Sequence, residues 1–176
     1  MFTRALRTYD VPARPDPLRA AFLVCDLATL DPVQPEGLRE RLRTEAQARG
    51  GEELTLRNGG PVLAFAVGTA AAARTAIAVQ RAAAAAGAPL RMGLHTGSAL
   101  RHGDVVFGRA VDHACRLAAA AKPGEILVSP LAAGEAGSPT ERVVVPFGRA
   151  SGRLPARRLA WAADIDDAAD AAEACA

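Results

Sequence analysis

The side chains that could do chemistry are few and lie far apart in this 176-residue sequence. Asp112 and Arg116 are four residues apart in VDHACR, so in a helix both project from one face, where they could form a salt bridge. His113 lies next to Asp112 and could join it as a metal ligand, but no third ligand follows at the spacing typical of metal sites. Asp26 ends the apolar run RAAFLVCD, where a carboxylate caps the following turn or serves a site. These residues alone leave the reaction open.

Composition and net charge exclude some classes of partner. Half of the residues are hydrophobic but only 4% are aromatic, and 42 of the 176 are Ala, so small side chains supply much of the apolar content. The 21 basic residues are 20 Arg and the single Lys122. The net charge of +2 is too small to indicate a polyanionic partner, and we expect no binding of nucleic acid.

The sequence carries no sign of export or of membrane insertion. Residues 1–17 contain charges and three prolines but lack the apolar stretch of a signal peptide. No run approaches the 18 apolar residues of a membrane span. Cys25, Cys115 and Cys175 are odd in number and form no CxxC pair, which is typical of a reducing compartment. We therefore expect a soluble, cytoplasmic domain.

Periodicity and turn signals predict eight strands and three helices. The strongest signal is Asn58-Gly59-Gly60-Pro61 between two apolar runs, which predicts a hairpin because Asn-Gly favours the positive φ angles of a tight turn. Gly87 and Pro89 end the Ala-rich helix before them. The predicted strands cover 19–26, 53–57, 62–67, 90–95, 104–107, 125–129, 141–146 and 154–161, and the predicted helices cover 36–49, 69–86 and 110–121. Residues 31–35 are predicted as a loop, and residues 97–103 as a loop or hairpin.

This order of elements predicts an α+β fold. Split β-α-β units that alternate with hairpins favour one mostly antiparallel sheet with helices packed on a face. The prolines within residues 1–18 predict an irregular leader, and the acidic, Ala-rich residues 163–176 are predicted as a solvated helix or tail. Residues 19–162 are long enough to form one domain with a sizeable core.

The longest motif spans residues 90–129, LRMGLHTGSALRHGDVVFGRAVDHACRLAAAAKPGEILVS. It resembles the pattern of the class III nucleotidyl cyclases, the adenylate and guanylate cyclase family: LRxGxHTG, an acidic stretch, then FGxxVNxAxRLxxxAxPGEILVS. The strand ending at Asp26, the hairpin and Ala-rich helix of residues 50–80, and the closing GRLPARRLAW are similar in order and spacing. The resemblance covers residues 19–162 and implies a cyclase homology domain with the family's ferredoxin-like split β-α-β sandwich.

The resemblance also implies which residues would hold metal. In the family, a ribose 3′-hydroxyl attacks the α-phosphate, pyrophosphate leaves, and two Asp residues hold two metal ions that clamp the reacting oxygens. Asp26 stands at the first metal position, but Gly59 stands at the second. Asn58 beside it offers a neutral oxygen, whereas hard cations prefer carboxylates. We therefore expect no metal cofactor.

The positions that contact the nucleotide in the family are substituted as well. The base-reading Lys is replaced by Thr55, and the second base-reading position is Val105, with Asp104 one residue away. Asp112 replaces the Asn of VNxAxR, where a carboxylate cannot donate the amide hydrogen bond and repels a triphosphate. Arg116 is retained at the position of the catalytic Arg that the family's partner subunit supplies. These substitutions predict that the chain does not bind a nucleotide in the way that the family does.

The first functional hypothesis is a catalytically degenerate cyclase-like domain that acts in signalling by dimerisation or by binding a ligand or a partner. Gly59, Thr55 and Asp112 favour it, as does a stretch between Asp26 and Gly51 that is shorter than the family's. Because the family's sites lie across a two-fold interface, the resemblance implies a homodimer, or a heterodimer with another cyclase domain.

The alternative hypothesis is a divergent nucleotidyl cyclase that converts ATP or GTP to a cyclic nucleotide and pyrophosphate. Its rearranged site would use Asp26, either Asp104 or Asp112, and Arg116. This hypothesis requires Mg²⁺ or Mn²⁺, so the two hypotheses differ in their cofactor as well as in their activity.

Overall fold

The computed structural model describes residues 14–26, 35–147 and 152–161. This part of the chain contains eight strands and four helices. In chain order they are β1 (Asp16–Asp26), α1 (Pro35–Gln47), β2 (Glu52–Leu56), β3 (Pro61–Phe65), α2 (Thr69–Ala85), β4 (Arg91–His102), β5 (Val105–Phe107), α3 (Arg109–Ala120), β6 (Ile126–Val128), α4 (Pro130–Ala133), β7 (Thr140–Phe147) and β8 (Gly152–Leu159). The α+β fold predicted from the sequence is confirmed.

All eight strands join one sheet in the order β1-β3-β2-β5-β4-β6-β8-β7. Strand β1 also pairs with β4 along its whole length, from Asp16 opposite Arg101 to Asp26 opposite Arg91. Strands β1, β3, β2, β5 and β4 therefore form a closed circuit of pairings. Only β2–β5 and β4–β6 are parallel among the described pairings, so the sheet is mostly antiparallel, as predicted.

Helices cover both faces of the sheet, whereas the sequence predicted helices on one face. On one side α1, α2 and α4 pack on a core that includes Leu23, Phe65 and Met92. On the other side α3 packs on Phe22 and its neighbours. The reason is in β1, whose run AAFLV is apolar at every position and so has an apolar side chain for each face.

Three local predictions need correction. Strand β1 begins at Asp16 rather than at residue 19, and β4 continues to His102 through the predicted loop or hairpin 97–103. The two differences have one cause, because residues 16–20 of β1 pair with residues 97–101 of β4. The short helix α4 was not predicted, although Ser129 accepts a hydrogen bond from the Ala132 N–H and caps it.

The remaining predicted elements agree with the structure to within two residues at each end. Among them are the β2–β3 hairpin and the Ala-rich helix α2, the two clearest sequence signals. The predicted loop 31–35 lies outside the described residues except for Pro35, which begins α1, and most of the predicted leader and the whole of tail 163–176 lie outside them as well.

Candidate functional site

A groove runs between α3 and the β2–β3 hairpin, and we call it the α3 groove. It consists of two adjoining hollows of about 310 Å³ and 270 Å³. Both are lined by Leu56, Asn58 and Cys115, which therefore mark their junction. Asp26 lines only the first hollow and Asp112 only the second, so two of the sequence-predicted site residues lie in one continuous groove.

Two glycines of β4 set the depth of this groove because they allow α3 to approach the sheet closely. A Cβ on Gly93 would lie closer than 3.0 Å to the Ala114 carbonyl oxygen, the Ala118 amide nitrogen and the Leu117 Cβ. A Cβ on Gly97 would lie 2.9 Å from the Ala110 Cβ. The backbone of α3 thus rests on the strand, and its opposite side exposes Asp112 and Arg116.

Asp26 is the last residue of β1 and is partly buried in the first hollow. Asn58 and Gly60, which flank the tip of the β2–β3 hairpin, line the same hollow. The structure therefore places Asp26, which the resemblance assigns to the first metal position, opposite the hairpin tip. The tip contains Gly59, which the resemblance assigns to the second metal position. The register partner of Asp26 is Arg91, whose buried Nε has no hydrogen-bond partner among the described residues.

The hairpin tip itself carries no carboxylate. Gly59 is exposed, has a φ of +85°, and a Cβ built on it would meet nothing within 4 Å. The Asn58 Oδ1 accepts the Gly60 N–H at 3.1 Å, so the neutral oxygen beside Gly59 already stabilises the turn. Within the described ranges, no three His, Cys, Asp or Glu side chains are grouped to hold a metal ion. The residues present do not fit the two-metal set of the family.

The two positions that the resemblance assigns to base reading lie side by side but outside the groove. Thr55 of β2 and Val105 of β5 are register partners in a parallel pairing, and the Thr55 N–H donates to the Asp104 carbonyl at 2.8 Å. Neither residue lines the α3 groove. The Asp104 side chain is 90% exposed and lies 4.0 Å from the guanidinium of Arg101. The Asp104 carboxylate therefore points to solvent rather than into the groove.

Asp112 and Arg116 do not form the salt bridge that their spacing favoured. Both side chains are exposed, and no ion pair between described residues joins them. Asp112 instead lines the second hollow, where its charge adds to the effect of burial in raising the pKa of the Cys115 thiol. In water, two exposed charges gain little from pairing with each other.

The second hollow also contains a cation–π contact that no sequence motif indicated. The Arg57 guanidinium lies 4.3 Å from the centre of the Phe107 ring, in the range of a cation–π interaction. Both residues line the hollow with Asp112. The two residues are 50 positions apart, and they meet because β2 and β5 pair in parallel with Leu56 opposite Val106. No local pattern in the sequence could have predicted that pairing.

Beneath the exposed side of α3, two histidines form a second unpredicted contact. The rings of His95 and His113 have centroids 4.4 Å apart and are tilted by 32°. The His95 Nδ1 is 2.7 Å from the Ser129 Oγ, while the His113 Nε2 is buried without a hydrogen-bond partner in the described part of the chain. His113 therefore contacts β4 and does not join Asp112 as a ligand pair.

The environment of these histidines disfavours their charged forms. Burial, and then the neighbouring His113, lowers the pKa of His95. Burial, and then the positive charge of Arg116, lowers the pKa of His113. Two imidazolium rings at this distance would repel each other, so the packing of α3 on β4 disfavours a state in which both rings are charged.

We expect the stability of the protein to fall as the pH is lowered through the histidine range. The pKa of each histidine is lower in the folded state than in the unfolded state. The stability that the neutral histidines contribute is therefore fully present above about pH 6.5 and is lost progressively below it. Thermal unfolding between pH 7.5 and 5.5 measures the effect. His113→Phe keeps a ring against His95 and removes one charge, so its melting temperature should decline less. An equal decline in both proteins would contradict this coupling.

Solved structures of other proteins share the fold of this chain. No protein-family model matches the sequence, and none of the curated proteins matches it significantly. The adenylate/guanylate cyclase/hydrolase from Silicibacter pomeroyi has a TM-score of 0.64 with 19% identity, covering 83% of this chain and 98% of that one. The adenylyl cyclase CyaB from P. aeruginosa has a TM-score of 0.61 with 18% identity, covering 82% of this chain and 96% of that one. The guanylate cyclase domain of RhGC from Catenaria anguillulae, solved in complex with GTP, has a TM-score of 0.61 with 13% identity, covering 85% of this chain and 99% of that one.

The chain therefore has the fold of the catalytic domains of class III adenylate and guanylate cyclases. It spans nearly the whole length of each of these three structures, and the fold implied by the resemblance in residues 90–129 is confirmed. At these identities the likeness concerns the fold, and it assigns no activity to this chain. In the described part of the chain, no helix has both the length and the apolar character that crossing a membrane requires.

Proposed function

We propose that this protein is a catalytically degenerate cyclase-like domain that acts in signalling through dimerisation, with the α3 groove left as a site for a ligand or a partner. The chain keeps the fold of a cyclase catalytic domain and brings Asp26 and the hairpin tip to one groove. The side chains around that groove differ from those that the family's chemistry needs.

The hairpin tip is the observation that carries this proposal. In the family, a second carboxylate completes the metal site there, and this chain has Gly59 instead. One carboxylate, Asp26, supplies too little negative charge to hold two divalent cations close together. Thr55 and Val105 support the same conclusion, because the resemblance implies a Lys at the first of these positions and an Asp or a Thr at the second.

The charge of Asp112 also opposes the binding of a nucleoside triphosphate. Its carboxylate lines the second hollow of the groove and repels phosphate oxygens. The alternative, a divergent active cyclase, would need Asp104 or Asp112 to replace the missing metal ligand. Asp104 is 90% exposed and beside Arg101, and Asp112 lines a different hollow from Asp26. Asp26 and Arg116 are the residues that this alternative would keep in use, and neither replaces the missing carboxylate at the hairpin tip.

We expect no cyclic nucleotide when the purified chain is incubated with ATP or GTP and either Mg²⁺ or Mn²⁺. Chromatography with mass spectrometry detects the product, and Arg116→Ala serves as the control because it removes the family's catalytic Arg. A product that the parent forms and Arg116→Ala does not would overturn the proposal. A signal no higher than background in both the parent and the Arg116→Ala variant supports the proposal.

Dimerisation is the second part of the proposal and has its own measurement. Sedimentation velocity over a range of concentrations should give a dimer that dissociates on dilution, with no dependence on nucleotide or metal. The known two-fold arrangement of the family makes the dimer isologous, so one species of closed symmetry is expected. A monomer at every concentration would contradict homodimerisation and leave pairing with another cyclase domain as the form to test.

A further inference from the structure

On one face of the β7–β8 hairpin, α4 packs at the end that contains Leu159, and six further residues form a largely exposed stretch that we call the basic face. Its residues are cross-strand partners in three pairs: Arg142 with Arg157, Val144 with Pro155, and Pro146 with Arg153. The opposite face of the hairpin packs against α3 through Leu154 and Ala156, with Val143 and Val145 at its margin. On the basic face five of the six residues are exposed, and Val144 is 55% exposed.

The charges on this face are all positive. Arg157 donates to the Thr140 Oγ1 at 2.8 Å, but Arg142 and Arg153 have no ion pair within the described part of the chain. The carboxylate of Glu141 pairs with Arg158, and residues 141 and 158 are on the other face of the hairpin. The basic face therefore lacks an acidic side chain of its own.

Two arginines directly opposite each other are an unfavourable cross-strand pair. Like charges at opposed positions of antiparallel strands destabilise the pairing, and the register sets Arg142 against Arg157. An exposed Val and two Pro separate this pair from Arg153, so the face alternates apolar surface with positive charge. An anionic partner with some apolar character would relieve the repulsion and cover Val144.

We propose that the basic face binds the acidic segment 162–176 of the same chain. This segment, AADIDDAADAAEACA, has five carboxylates, no basic residue, and an Ile among its acidic residues. It lies outside the described residues, and it follows directly on Trp161, shortly after β8. The charge and the apolar content of the segment complement those of the face.

The chain length allows this contact without any rearrangement of the sheet. Arg157 and Arg153 precede Trp161 by four and eight residues, or about 13 and 26 Å along an extended strand. Fifteen residues can span up to about 50 Å, so the segment can turn back and reach both arginines. The tether keeps the acidic segment at an effective concentration in the millimolar range, so weak contacts suffice to populate the bound form.

Amide hydrogen exchange of residues 162–176 in the full chain tests the proposal. At low salt, exchange in the parent should be slower by roughly two- to tenfold than in the double variant Arg142→Ser, Arg153→Ser, because the tethered contact is lost. Raising NaCl to about 0.5 M should remove the difference, because the charges are then screened. The control is Arg41→Ser, Arg109→Ser, which removes the same charge from exposed arginines of α1 and α3 and should behave as the parent.

A second variant covers the case in which the arginine substitutions disturb the hairpin. Asp166→Asn, Asp167→Asn, Asp170→Asn changes the acidic segment alone and should accelerate its exchange to the same extent. Equal exchange in the parent and in both variants would overturn the proposal. Slowing that grows with protein concentration would also overturn it, because the segment would then bind a second copy. The proposal is independent of the cyclase-like role, and either can fail alone.

Discussion

Replacing Gly93 with Ala is expected to lower the free energy of unfolding by about 3 kcal/mol or more. The added Cβ would lie closer than 3.0 Å to two backbone atoms of α3, the Ala114 oxygen and the Ala118 nitrogen. A flexible side chain could move aside, but a helix backbone can yield only if the whole helix shifts. The variant must therefore either unfold more easily or move α3 away from β4.

Gly37→Ala is the matched control for this substitution. Gly37 lies within α1, and a Cβ there would meet nothing within 4 Å. Because Ala is a better helix former than Gly, this change should stabilise the protein by up to about 1 kcal/mol. Urea unfolding of the parent and the two variants gives the comparison. Equal stabilities for Gly93→Ala and the parent would show that α3 is held less closely than the structure indicates.

The Gly93→Ala substitution also tests how the packing of α3 shapes the groove. Helix α3 lines the groove through Asp112 and Cys115 and packs its opposite side on Gly93 and Gly97. Any outward shift of α3 would separate the His113 ring from His95 and widen the groove. A Gly93→Ala chain that stays folded should therefore show a changed environment for His113, visible in its ring proton resonances.

Local sequence signals predicted the elements that depend on local physics. The Asn58-Gly59 turn and the Ala-rich stretch before Gly87 fix a hairpin and a helix from a few residues each, and both are confirmed. The extension of β4 to His102 was missed because residues 97–101 are extended only through their pairing with residues 16–20. Pairing between strand residues about 80 positions apart leaves no local signature in the sequence.

The candidate site shows the same division. The resemblance assigned Asp26 and Gly59 of the hairpin tip to the two metal positions, and Asp26 and the tip residues Asn58 and Gly60 line the first hollow of the groove. The contact of Arg57 with Phe107 and the contact of His95 with His113 were not predicted. Each depends on how a helix or strand is placed across the sheet, which periodicity alone does not determine.

Placing one carboxylate at the hairpin tip should create metal affinity in a chain that we expect to bind no metal. We expect Gly59→Asp to bind Mn²⁺ with a dissociation constant on the order of 10⁻⁴–10⁻³ M, the range of weak carboxylate sites. The tip residues Asn58 and Gly60 line the same hollow as Asp26, and a side chain on residue 59 meets open space. Two carboxylates across this hollow would supply the charge that Asp26 alone does not.

Gly59→Asn is the matched control because it has the same shape without the charge. Gly59 has a φ of +85°, and both Asn and Asp adopt the left-handed region at a cost of about 1 kcal/mol. The two variants should therefore unfold alike, and isothermal titration calorimetry should show saturable Mn²⁺ binding in the Asp variant only. Binding by the parent would reveal a different ligand set and remove the main support for a degenerate site. A folded Asp variant without binding would mean that the hairpin tip and Asp26 do not converge, and the loss of function would then lie in the shape of the groove as well as in its side chains.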